Sequence, residues 1–189
     1  MESRRRWPCH ETTAGRISGK LKKLCAIRVL CGKIIFMVKG SAVFGLGNIL
    51  MSDEGIGCRI VERLLGQKDS AGFADFIEIG TKGMSLFHLL GDYKKAVIVD
   101  CALMDTEPGT IKRFTPDDVN SVKKLAHYSL HEADVLGIIE MSRKLGQSPQ
   151  EIVIFGIEPQ IVEPGQRLSS TLSQHLDSYT QTILDEIRG

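Results

Sequence analysis

The chain has 189 residues, 42% hydrophobic and 25% charged, enough for one domain with a sizeable core. No stretch approaches the roughly 18 apolar residues that a membrane span needs. The net charge of +1 conceals an asymmetry: residues 1–39 hold ten Lys/Arg against two acids, and the remainder holds fourteen against twenty-one, a balance of −7. Neither a membrane nor a nucleic-acid partner is expected for that acidic remainder.

Residues 1–36 form a basic extension without a periodic pattern. The run "LCAIRVLCGKIIFMV" is interrupted by Arg28 and Lys33 and makes a poor signal-peptide core. The segment is expected to be disordered, or to precede a true start at Met37, where "MVKGSAVFGLGN" reads as a natural opening. Five cysteines occur, at 9, 25, 31, 58 and 101, with no C-x-x-C pair. An odd count with three members in the extension fits reduced thiols and a cytoplasmic location better than a disulfide framework.

From Lys39 onward strands and helices alternate. "SAVFGLG" reads as a short buried strand. "EGIGCRIVERLLG" places Ile56, Ile60, Val61, Leu64 and Leu65 at helical spacing, with Gly66 as the stop. "DFIEIG" predicts a strand and "GMSLFHLLGDY" a short helix. "KKAVIVDCAL" is a strand entering the core, with Asp100 where it should end. "PGTIKRF" is a further strand behind a Pro-Gly turn. "HEADVLGIIEMSRKLGQSP" predicts a helix with Ala133, Leu136, Ile138, Ile139 and Leu145 apolar. "EIVIFGIEP" is the fifth strand. The last helix, "SSTLSQHLDSYTQTILDEIRG", aligns Leu172, Leu176, Tyr179, Ile183 and Ile187. The alternation predicts an α/β fold in one domain over 38–188. Its architecture would be a three-layer sandwich, a largely parallel twisted sheet of about five strands with helices on both faces. Ligands in such sheets collect outside the carboxyl ends of the strands.

The loop "GLGNILMSDEG" raises the first chemical question. It has the glycines of a strand-to-helix phosphate turn, but Leu50 stands where the third glycine of G-x-G-x-x-G belongs, and Asp53 and Glu54 would repel a phosphate. Asp53 reads as a cap of the following helix. Glu54 faces the same crevice as Asp100. In "YSLHEADVLG", Ser129 and Glu132 suggest a capping box, which places His131 in the first helical turn, with His127 its nearest competitor. Of the other histidines, His10 lies in the extension, and His88 and His175 lie inside helix patterns. Glu54, Asp100 and His131 make a two-carboxylate, one-imidazole set that suits zinc or nickel with open coordination positions. Neither a nucleophilic serine motif nor a base beside Cys58 or Cys101 is present.

Taken together, "GLGNILMSDEGIGCRIVERL", "VIVDCALMDTEPGTIKRF", "SLHEADVLGIIEMSRKLGQSPQEIVIFGIEP" and the "LS" before the last helix resemble the hydrogenase maturation endopeptidases over about residues 38–188. The family trims the C-terminus of the large subunit of nickel–iron hydrogenases, after a His or Arg near the substrate's C-terminal cysteine motif. The resemblance implies a phosphorylase/hydrolase-like sandwich, with Glu54, Asp100 and His131 as the catalytic, metal-contacting set. It further implies that nickel is supplied by the substrate, with no tightly held cofactor of the protease's own. The partner is a hydrogenase large-subunit precursor, met by a monomer. Asn48 in the first turn, and Gly80 and Thr81 in "IGTKG", are the expected substrate-binding residues, although that second loop is shorter than the usual family pattern, which commonly has an acidic residue and two glycines. Two other readings stand beside this one. The first is a non-catalytic metal-sensing or chaperone module that binds the nickel-loaded precursor. The second is a small-molecule hydrolase or phosphorylase, which the acidic crevice disfavours.

Overall fold

The computed structural model of the chain describes residues 27–30, 33–36, 39–67, 72–118 and 130–189, with side chains at 39–67, 72–118 and 135–189. Two units are distinguished, Met1–Met37 and Val38–Gly189. In the first, β1 (Ile27–Leu30) pairs antiparallel with β2 (Lys33–Phe36). Residues 1–26, most of the predicted extension, lie outside the described residues.

The second unit runs β3 (Lys39–Leu46), a 3-10 turn (Ser52–Gly55), α1 (Ile56–Gly66), β4 (Ala74–Gly80), α2 (Gly83–Leu90), β5 (Tyr93–Cys101) and β6 (Ile111–Phe114). It continues with α3 (Leu130–Lys144), β7 (Glu151–Ile157) and α4 (Ser170–Arg188). The sheet order is β4-β3-β5-β7-β6, parallel throughout except for β6, which pairs antiparallel with β7 at one edge. This is the predicted α/β sandwich.

Strand alternation divides the core between two layers. Val43, Val97, Val99, Val153 and Phe155 face α1 and α4, which contribute Ile56, Ile60, Leu64, Leu172, Tyr179 and Ile183. Ala42, Phe44, Ala96, Ile98 and Ile152 face α2 and α3, which contribute Leu86, Leu90, Leu136 and Ile139. The central strands are therefore apolar on both faces, which is why "AVIV" and "EIVIF" show no alternation. Two residues assigned to buried faces are exposed. Leu65 lies beyond the stripe of Ile60, Val61 and Leu64 on α1, and Leu145 falls one residue past the end of α3.

The amino end of the sheet is closed by satisfied polar groups. The Tyr93 hydroxyl donates to Asp75 Oδ2 at 2.7 Å, and Lys39 Nζ lies 3.2 Å from the same oxygen. Chiefly because of burial, the Tyr93 phenol is pushed up to about 12. Among the described residues, no helix is long and apolar enough to cross a membrane.

Candidate active site at the carboxyl edge of the sheet

The chain leaves β3 through a turn built by close backbone approach. Gly47 has φ +111°, and a Cβ there would run into the carbonyl of Glu54. Gly57 lies at the start of α1 against the carbonyls of Leu46 and Val99, leaving no room for a side chain. These glycines let the first turn of α1 press onto the ends of β3 and β5, which is a packing role rather than a phosphate cradle. The intervening 3-10 turn carries Asp53 and Glu54.

Asp53 does not cap α1, contrary to the reading from sequence. The helix N-cap is Gly55, with no side-chain hydrogen bond. The buried Asp53 carboxylate instead accepts three backbone N–H groups of the 158–169 loop: Gln160 at 2.9 Å, Ile161 at 3.0 Å and Ser169 at 2.7 Å. The same loop is stitched to the turn by Ser52 N–H to Gly165 O at 2.8 Å and Gly165 N–H to Leu50 O at 2.8 Å. Ser52 takes φ +49°, a left-handed conformation that these bonds hold in place. Glu158, at the end of β7, is likewise buried and satisfied. Its Oε2 accepts Met104 N–H at 2.6 Å and Thr106 N–H at 3.3 Å.

Asp100 is different. It sits near the end of β5, 5% exposed, with Oδ1 accepting only the Cys101 N–H at 2.8 Å. Its Oδ2 is buried and has no hydrogen-bond partner. Burial pushes its carboxyl up to about 7. The Cys101 N–H opposes that rise, and the nearby charge of Glu54 adds to it. An orphaned buried carboxylate oxygen is costly unless something completes it. The 3-10 turn packs against β5, bringing Glu54 beside this oxygen's carboxylate. By strand alternation Asp100 shares its face with Ala96 and Ile98, the face covered by α2 and α3. The backbone of His131 lies in the first turn of α3, at the end of that helix remote from the start of β7. The His131 side chain, His127 and the predicted capping box of Ser129 and Glu132 lie outside the described residues. Among the described residues no three His, Cys, Asp or Glu side chains converge. The described part of the predicted set is thus the carboxylate pair.

Beside the pair is a pocket of about 450 Å³ lined by Gly47, Asn48, Cys58, Glu78, Gly80 and Thr81. It brings together all three residues expected to bind substrate. Asn48 Oδ1 also braces the turn, accepting Leu50 N–H at 3.0 Å, and Gly80 has φ +61°. The Cys58 thiol is pushed up by burial and by the charges of Glu78 and Asp100, with a backbone hydrogen bond from Gly80 opposing. A thiol held neutral in this way is unsuited to be a nucleophile. Glu78, near the end of β4, adds an exposed carboxylate to the lining of this pocket. Glu158 gives no local signal because it looks like an ordinary loop acid, and Asp53 reads from sequence only as a helix cap.

An α/β protein with two neighbouring carboxylates at the carboxyl ends of its central parallel strands is the class this fold and site define. A family model described as hydrogenase maturation protease matches residues 58–186, more than half of the chain. The chain belongs to that family, and it is a peptidase. The hydrogenase 2 maturation protease of Escherichia coli (strain K12) is 28% identical over 149 residues, covering 77% of this chain and 89% of that one. The hydrogenase expression/formation protein HupD of Rhodobacter capsulatus is 26% identical over 148 residues, covering 78% and 70%. Among solved structures, the hydrogenase maturating endopeptidase HybD from E. coli matches with a TM-score of 0.69 at 26% identity, over 78% of this chain and 91% of that one.

Proposed function

We propose that this peptidase removes the C-terminal extension of a hydrogenase large-subunit precursor that already carries nickel. The observation that carries the reading is the buried, unpartnered Oδ2 of Asp100 beside Glu54. A buried carboxylate that is short of a hydrogen bond and feels the charge of a second one favours the arrival of a cation. In this reading the cation is nickel delivered by the substrate, His131 completes the set from the first turn of α3, and the protease holds no metal of its own. Asn48, Gly80 and Thr81 line the pocket that receives the chain next to the scissile bond. Nickel held there would polarise the carbonyl of that bond, and Glu54 or Asp100 would act as the carboxylate base toward attacking water. The protease acts in the cytoplasm, as a monomer on a folded partner.

The test is incubation with nickel-loaded and nickel-free precursor, followed by the mass of the large subunit. Shortening of the loaded form alone is expected. Glu54→Gln and Asp100→Asn should each slow it by about 100-fold or more while leaving the fold intact. Wild-type rates in both variants would overturn the assignment. Capture of the loaded precursor without shortening would point to the chaperone reading instead.

A further inference from the structure

A second feature lies on the other face of the 158–169 loop. Between α1 and the start of α4 runs an open groove of about 670 Å³, floored by Leu168 and Leu176. Its walls carry three guanidinium groups, Arg59, Arg63 and Arg167, against a single lining carboxylate, Glu62. Arg59 and Arg63 stand one helical turn apart on the same face of α1. Arg59 bonds Glu62 at 2.9 Å and the Gln166 carbonyl at 3.0 Å, and Arg63 lies 2.7 Å from Asp177 of α4. Both ion pairs are exposed and hence weak and exchangeable. Arg167 forms no hydrogen bond or ion pair among the described residues.

The groove runs on toward the 3-10 turn that carries Glu54. A cavity of about 410 Å³ begins at Ser52, two residues before Glu54, and shares Gln166, Arg167 and Leu168 with the groove. We propose that the groove is an exosite that docks a short acidic segment of the protein substrate through Arg167, Arg63 and Arg59. The proposal rests on the processing role argued above. Charge decides the class of ligand. Residues 40–189 carry a balance of −7, so an extended polyanion such as a nucleic acid is repelled by the surrounding surface, whereas a few carboxylates seated in the groove meet Arg167 and exchange with Glu62 and Asp177 for Arg59 and Arg63. Size agrees. The stretch of α1 from 59 to 66 spans roughly 10 Å, the length of about three extended residues. The aliphatic floor accommodates the stems of such side chains.

Arg167→Glu tests this without disturbing a hydrogen bond or ion pair among the described residues, so its melting temperature should equal that of the wild type. Processing kinetics should show KM raised about three- to tenfold with kcat unchanged, and a flatter dependence of kcat/KM on salt. A tetraglutamate peptide should bind the wild type in a salt-sensitive manner, compete with precursor, and bind Arg167→Glu at least about threefold more weakly. A tetralysine peptide should do neither. Unchanged KM and salt response in Arg167→Glu, or tetraglutamate binding that ignores the substitution, overturns the exosite. So does a single-stranded oligonucleotide that binds more tightly than the peptide. If the wild type cleaves no precursor, the processing role fails. The peptide-binding comparison then still decides whether the groove recognises acidic segments.

Discussion

Asp100 joins stability to chemistry in one side chain. The folded protein holds its proton up to about pH 7, whereas the unfolded chain releases it near the ordinary 3.8. A carboxyl pKa raised by folding stabilises the fold fully below the unfolded value, and that contribution is lost as pH rises through the folded value. Between the two the loss is about 1.4 kcal/mol per pH unit, on the order of 4 kcal/mol in all. Urea denaturation of Asp100→Asn should therefore show a shallower fall in stability from about pH 4 to pH 7 than the wild type shows. At pH 8 the variant should be the more stable protein and the inactive one. A wild type and variant with parallel pH profiles would mean that the carboxyl is not held protonated. Gly47 makes a contrasting case at the same scale. Gly47→Ala meets the Glu54 carbonyl at a left-handed φ, and should lower the unfolding free energy by about 2–3 kcal/mol or more.

At the scale of elements, two stitches hold the loops that frame the crevice. Asp53 ties the 3-10 turn to the 158–169 loop, and Glu158 ties the end of β7 to residues 104–106. Asp53→Ala leaves three N–H groups, the buried one of Ser169 and the half-buried ones of Gln160 and Ile161, without their acceptor and should cost about 3 kcal/mol. Hydrogen exchange at Gln160, Ile161 and Ser169 should speed up more than exchange in the β5 core. Uniform acceleration across the protein would mean that the stitch is not local. These elements also show what sequence could reveal. The five strands and the helices were legible because their signal is periodic and local, such as an apolar "AVIV" ended by an acid, or Leu172, Tyr179 and Ile183 on one face of α4. The carboxylates were not. Asp53 and Glu54 are adjacent and chemically alike, yet one satisfies amides more than a hundred positions away and the other faces a second acid. That difference arises only when the loop returns from β7 to cover the turn.

For the molecule as a whole, the buried core among the described residues draws on residues 42–184. A chain beginning at Met37 should unfold in a single transition at the same temperature as the full chain and should process precursor at the same rate. A drop in melting temperature of several degrees would instead assign residues 1–36 a part in the fold. The Glu54–Asp100 neighbourhood and the pocket holding Asn48, Gly80 and Thr81 lie where a parallel sheet places its ligands.

The two edges of the sheet bear on how copies of the protein meet one another. β6 is four residues long and exposes Lys112 and Arg113, and β4 carries Asp75 and Glu78 along the opposite margin. A short charged edge on one side and acids on the other discourage a second copy from adding its strands to the ladder. At the concentrations of overexpression, the sheet is thus guarded against growing into open-ended aggregates, and its encounters with other proteins fall to the loops and helix faces.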